Sequence, residues 1–157
     1  VKSVPKSPIT TIIGFTVLSA VFMMVLQFST IMTIDFKERI SSEEFRAIAG
    51  GISSQIIDAI TLAEDINVGG KVLIRLRIPV KCSLGHYEIL LTIVDGNPAI
   101  KLKPIARSRP VETYVLPISL DRVTIIPSTV YSGAEWNYIE VENTDGSLTL
   151  KLVYIGG

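Results

Sequence analysis

Cys82 and His86 are the only thiol and the only imidazole in the 157-residue chain, and they stand four positions apart. A thiolate next to an imidazole is the start of a nucleophilic pair. The local pattern argues against that use. His86 shares a strand pattern with Glu88, on the face opposite Tyr87 and Ile89, and reads as a surface residue. Cys82, in Lys81-Cys82-Ser83-Leu84, has no second cysteine for redox exchange, and one His with one Cys cannot complete a structural zinc site. Asp95-Gly96-Asn97 and Asp145-Gly146-Ser147 look like the start of calcium loops, but no EF-hand ligand series follows either, and both lie between strand patterns. They read as hairpin turns. The residues therefore give no catalytic group, no cofactor site and no metal site, and the chain reads as a non-enzyme. No Asn has Ser or Thr two positions later, so the usual N-glycosylation sequon is missing.

The element that dominates the chain carries no charge at all. Residues 9–34 hold no Asp, Glu, Lys or Arg over 26 positions, and 13 of them are Leu, Ile, Val or Phe. As a helix this run spans about 39 Å, enough to cross a hydrocarbon core of about 30 Å with some tilt. It is longer than the apolar region of a cleaved secretory signal, and its exit, Thr33-Ile34-Asp35-Phe36-Lys37, lacks the small residues of such a cleavage site. Only Lys2 and Lys6 are ionisable before Asp35, which places the N-terminus in the cytoplasm and the remainder outside. The first residue is Val, as expected if upstream residues have been removed. The 15 bases and 15 acids balance over the whole chain, and no basic patch points to nucleic acid. With a single cysteine, the domain beyond the span must hold itself by packing.

A helical pattern continues past the span. Phe36, Ile40, Ala47, Ile48, Ile52, Ile56, Ala59, Ile60 and Ala63 recur at spacings of three, four or seven, predicting an amphipathic extension over residues 35–66. Charged residues between Asp35 and Arg46 form a collar that reads as a solvated face. Gly50-Gly51 is the expected bend, and Asn67-Val68-Gly69-Gly70 the stop. From there the period changes to two. Seven strands are predicted, at residues 71–78, 86–94, 99–103, 111–116, 122–126, 136–143 and 147–154, giving an antiparallel Ig-like β-sandwich over residues 71–157. Same-face alternation assigns part of the set Tyr131, Trp136, Tyr138 and Tyr154 to its core, and Glu140 and Glu142 to a solvated edge. The fold class is α+β: a short polar N-terminus at residues 1–8, a long helix that spans the membrane in the precursor, then the sandwich.

Lys6-Ser7-Pro8-Ile9 leading into Thr10-Thr11-Ile12-Ile13-Gly14-Phe15-Thr16-Val17-Leu18, followed by an amphipathic extension and a compact β-sandwich, resembles an archaeal type IV pilin or archaellin-like protein. The resemblance covers the whole architecture through a short motif. It implies cleavage of a precursor by a prepilin peptidase near the start of the hydrophobic helix, export by a pilus assembly machinery, and a homopolymer with helices bundled in the core and β-domains outside. Eight residues precede the apolar run, more than is usual in that family. The acidic residue that bacterial members carry early in the mature helix is absent, as it commonly is in archaeal ones.

Assembly has a rationale in the residues themselves, because a 26-residue apolar helix outside a bilayer is insoluble unless other copies cover it. Ile12, Ile13, Leu18, Val21, Phe22, Val25 and Phe28 supply apolar contact in such a bundle. Gly14, Ser19 and Ala20 allow close backbone approach, and Thr16 and Gln27, with Ser29 and Thr30, can bond to a neighbour or to their own helix. The reading is a structural filament subunit serving adhesion or surface attachment. The alternative is a single-span anchored binding module of the cell envelope, like the stator-like accessory proteins of archaeal motility machinery.

Overall fold

The computed structural model describes residues 8–66, 68–106 and 110–156. Readings placed on residues 1–7, including the cytoplasmic Lys2 and Lys6 and the site of processing, and the part of the helix stop assigned to Asn67, lie outside the described residues. One helix, α1 (Pro8–Glu64), precedes eight strands: β1 (Lys71–Arg75), β2 (Tyr87–Val94), β3 (Asn97–Pro104), β4 (Glu112–Val115), β5 (Val123–Ile125), β6 (Ser128–Tyr131), β7 (Asn137–Thr144) and β8 (Ser147–Tyr154). The chain forms two compact units, Val1–Lys37 and Glu38–Gly157.

In the first unit, Pro8 opens the helix, where its missing amide hydrogen has no intrahelical partner to lose. No side chain in its most apolar 18-residue window is buried. The hydroxyls here turn inward. Thr16 Oγ1 donates to the Ile12 carbonyl at 3.0 Å, Thr30 to Leu26 at 2.9 Å and Thr33 to Ser29 at 2.8 Å. A hydroxyl bonded to its own helix loses far less on entering apolar surroundings than an unpaired one.

In the second unit, the helical residues bury Phe45, Ala49, Ile52, Ile56, Ala59 and Ala63, at intervals of four and three that keep them on one face. This series corrects the predicted stripe at its start. Phe36, in the first unit, and Ile40 are 66% and 39% exposed, Ala47 lies on the exposed face, and Phe45, left out of the prediction, is completely buried. The helix runs without interruption through Gly50-Gly51, the position expected to bend. Ala49, Ile52 and Ser53 on either side are buried, and burial of the flanks offsets the roughly 1 kcal/mol that each glycine costs a helix.

The strands form two four-stranded sheets, ordered β1-β7-β8-β5 and β4-β3-β2-β6. Alternation fills the space between them: Ile139, Val141, Leu148, Leu150 and Leu152 from one sheet, Tyr87, Ile89, Leu91, Ile100 and Leu102 from the other. Helical and sheet residues belong to a single apolar cluster. Asp95 and Gly96 (φ 50° and 77°) close the β2–β3 hairpin, and Asp145 and Gly146 (φ 50° and 82°) the β7–β8 hairpin, the positive φ pair that a two-residue type I′ turn requires. The predicted turns thus hold.

Three strand readings change. β6 is an eighth strand, pairing with β2 through Glu88↔Tyr131 and Ile89↔Val130. β5 pairs with β8 in parallel rather than antiparallel fashion. The strand predicted over residues 71–78 ends at Arg75, because beyond it the backbone bonds elsewhere: Leu76 N–H to the Asn137 carbonyl at 2.8 Å and Arg77 N–H to the side-chain oxygen of Gln55 at 2.8 Å.

Candidate functional site

The residues expected to make a filament core all lie on α1 in the first unit, with their side chains uncovered. Ile12, Ile13, Leu18, Val21, Phe22, Val25 and Phe28 are exposed, from 52% at Val21 to 68% at Leu18. Ser19, Ala20 and Gln27 are exposed as well, and a Cβ built on Gly14 would meet nothing within 4 Å. Thr16 is exposed with its hydroxyl already bonded to Ile12. The surface is apolar on every side of the helix, with the hydroxyls of Thr16, Thr30 and Thr33 bonded to their own helix. It can enter lipid or a bundle of like helices.

The second unit is stitched by polar contacts that its sequence reads as solvent-facing. The charged collar is more than a solvated face: Glu44 accepts from Ser83 N–H at 2.7 Å and from Ser83 Oγ at 2.6 Å, and Arg46 lies 3.7 Å from Glu112 and 3.3 Å from Glu43. Asn143 Nδ2 donates to the carbonyls of Ala63, in the last turn of α1, and of Ile66 just beyond it, at 3.3 and 3.2 Å. Gln55 bonds the Arg77 backbone at both its N–H and its carbonyl.

Glu140, read as part of a solvated edge, is buried at 4% exposure. It is on the sheet face away from the apolar core, between Lys71 Nζ at 2.9 Å and Lys151 Nζ at 2.8 Å. Burial works against its charged form, but hydrogen bonds and charge from Lys151 and Lys71 outweigh that cost and hold the carboxyl below its ordinary range. The same contact raises the Lys151 ammonium.

No hydrogen bond joins Cys82 to His86 among the described residues. The half-buried Cys82 thiol donates to the Gly85 carbonyl at 3.3 Å, and burial pushes its pKa up, away from the thiolate. His86 is exposed, and its ring packs over Gly133, where a Cβ would come within 2.8 Å of Nδ1. Among the described residues no group of three or more His, Cys, Asp and Glu side chains is placed to hold a metal ion.

The aromatic residues overturn their predicted split. Tyr131, Trp136 and Tyr154 are exposed and Tyr138 is half-buried, so none of the four is core. The buried aromatic pair is Phe45 and Tyr87, with ring centroids 5.6 Å apart, and Tyr87 Oη donates to the Pro79 carbonyl at 2.6 Å. Strand parity explains the difference: Trp136 precedes β7, Tyr154 ends β8, and Tyr131 pairs with Glu88 on the outer face of its sheet. Compared with protein-family models, curated proteins and solved structures, the chain matches none, so its own residues carry the functional reading.

Proposed function

We propose that the chain is a structural subunit of an extracellular filament of the archaeal type IV pilus kind, its N-terminal helices bundled in the core and its sandwich outside. The observation that carries this reading is the fully uncovered apolar surface from Ile12 to Phe28, in a chain whose other apolar helical stripe is covered. Such a surface needs a partner on every side, and other copies of the same helix supply one. The precursor sits in the cytoplasmic membrane with its N-terminus inside. A prepilin peptidase and a pilus assembly machinery are the partners that the pilin resemblance implies, and adhesion or surface attachment is the role.

A second reading is favoured by one specific observation: the threonines that bond to their own helix suit a lipid-facing span as well as a bundle. On that reading the chain is a single-span anchored module whose sandwich engages a cell-envelope partner. Electron microscopy of cell-surface material at native expression, combined with detergent extraction, separates the two. The filament reading expects fibres that carry the chain as their main component. Detergent-extracted monomer with no fibres would replace it with the anchored module.

A further inference from the structure

The polar side chains of the apolar run are unevenly placed around the helix. Of the seven between residues 11 and 34, five (Thr16, Ser19, Gln27, Thr30 and Thr33) fall within about 120° of one another at 3.6 residues per turn. Roughly the opposite third of the circumference, through Val17, Val21, Met24, Val25, Phe28 and Met32, holds none. One face of the span therefore differs from the rest.

Three residues of that face are satisfied at home, since the Thr16, Thr30 and Thr33 hydroxyls bond carbonyls of their own helix. Gln27 is not. Its side chain is exposed and makes no hydrogen bond among the described residues, whereas Gln55, also on α1, gives its amide to the Gly51 carbonyl at 3.1 Å and to the Arg77 carbonyl at 3.0 Å. Met23, Leu26, Thr30 and Ile31 border the shallow hollow beside Gln27.

Gln27 stands eight positions before Asp35, the first charge after the run. Eight residues of helix are about 12 Å, which sets the amide near the middle of a hydrocarbon core of about 30 Å. Lipid offers it neither donor nor acceptor at that depth. A carboxamide carries both, so it complements a copy of itself. Copies inserted in the same direction bring this residue to the same depth.

We propose that Gln27 joins two copies of α1 in the membrane, each amide giving an N–H to the carbonyl oxygen of the other, with the face from Thr16 to Thr30 turned toward the partner. This pairing rests on the reading that like helices cover one another, and gives that contact a face and a depth. The self-bonded threonines suit it, because they bring short side chains to the contact without unmet hydroxyls. One buried polar pair of this kind fixes the register of two helices. Val17, Val21 and Phe28 lie on the far side, free for lipid in the precursor and for further copies in a filament.

Self-association of the full-length protein is measured by sedimentation equilibrium in density-matched detergent micelles. The wild type should show a monomer–dimer equilibrium. Gln27→Leu, which removes the amide, should raise the dissociation constant about three- to fifteenfold. Gln27→Asn, which keeps donor and acceptor, should associate more tightly than the leucine variant, and Met24→Leu, on the opposite side, should match the wild type. A wild type that stays monomeric, a leucine variant of wild-type affinity, an asparagine variant no better than leucine, or an equal loss in Met24→Leu would overturn the pairing. Wild-type fibres at the cell surface are scored separately by microscopy. Fibres from a chain that is monomeric in micelles would remove the pairing and leave the filament reading standing, and a Gln27-dependent dimer without fibres would do the reverse.

Discussion

The helical residues before Glu38 and those after it solve different problems with the same backbone. In residues 38–64 apolar side chains fall at alternating intervals of four and three, make one stripe, and are covered by the sheets of their own domain. In residues 11–34 apolar side chains occupy every side, as Ile12, Ile13, Phe15, Val17 and Leu18 do within two turns, and all are exposed. A stripe needs one partner, whereas an all-round apolar surface needs a surrounding one, lipid or a ring of helices. Periodicity in one helix therefore separates the part that folds with its own chain from the part that must leave water with something else.

The contrast can be broken most severely in the first region. Val21→Asp or Val25→Asp should abolish filaments seen by microscopy and leave the melting transition of the sandwich unchanged, since no cationic side chain between Lys6 and Lys37 can pair with the buried carboxylate. Insertion should also weaken by about 2.5–3.5 kcal/mol at the span centre, so the amount of inserted precursor is measured in the same cells. An inserted variant that still forms filaments would end the bundle reading.

Next in size is a matched pair of phenylalanines. Phe45→Ala should cost the sandwich about 3–5 kcal/mol in denaturant unfolding, as expected for a fully buried ring packed against Tyr87. Phe36→Ala, at an exposed position, should change the same transition by less than about 0.5 kcal/mol. Equal losses would erase the boundary between the two regions.

Acid should act on the second region, where the described ion pairs lie. Because the folded Glu140 carboxyl titrates below its ordinary value of 4.5, its contribution is complete above that pH and disappears as pH falls through the lower, folded value. Glu140→Gln should lower stability at pH 7 by about 1.5–3 kcal/mol. It should also flatten the fall in melting temperature between pH 5 and the acid limit. An unchanged pH profile would show that Lys71 and Lys151 do not depress this carboxyl.

The smallest effect has the opposite sign. Nothing within 4 Å obstructs a Cβ at Gly50 or Gly51, so alanine at each should raise sandwich stability by up to about 1 kcal/mol. Gly14→Ala should leave that transition unmoved. A loss on replacing either of the paired glycines would reveal a backbone demand that the helix does not display.

Much of the architecture was legible because the period of apolar residues changes at Gly70, and because two Asp-Gly turns mark their hairpins. What escaped has physical reasons. β6 is four residues with only Val130 buried, too short to show alternation. The end of β1 is decided by Gln55 and Asn137, partners 22 and 61 positions away that no local pattern contains. Phe45 could have been found, since it begins the series completed by Ala49, Ile52, Ile56, Ala59 and Ala63. It was missed because Ile40 and Ala47 offer a competing start. For the candidate assembly surface, the sequence located the apolar run and the structure adds its exposure and the inward bonding of its threonines.

The place of β8 bears on when this domain can exist. It is the last strand of the sandwich to be made, yet it is an inner strand, flanked by β7 on one side and β5 on the other. β1 likewise waits for β7, its partner some 70 residues later in the chain, at Lys71↔Glu142. A chain released only as far as residue 104 has therefore produced the β2–β3 hairpin and little else of the final pairing. Closure is late and dominated by distant contacts, the condition under which folding is slow. The β4-β3-β2-β6 sheet has all its strands once residue 131 is made, whereas the β1-β7-β8-β5 sheet gains its inner strand only with residues 147–154.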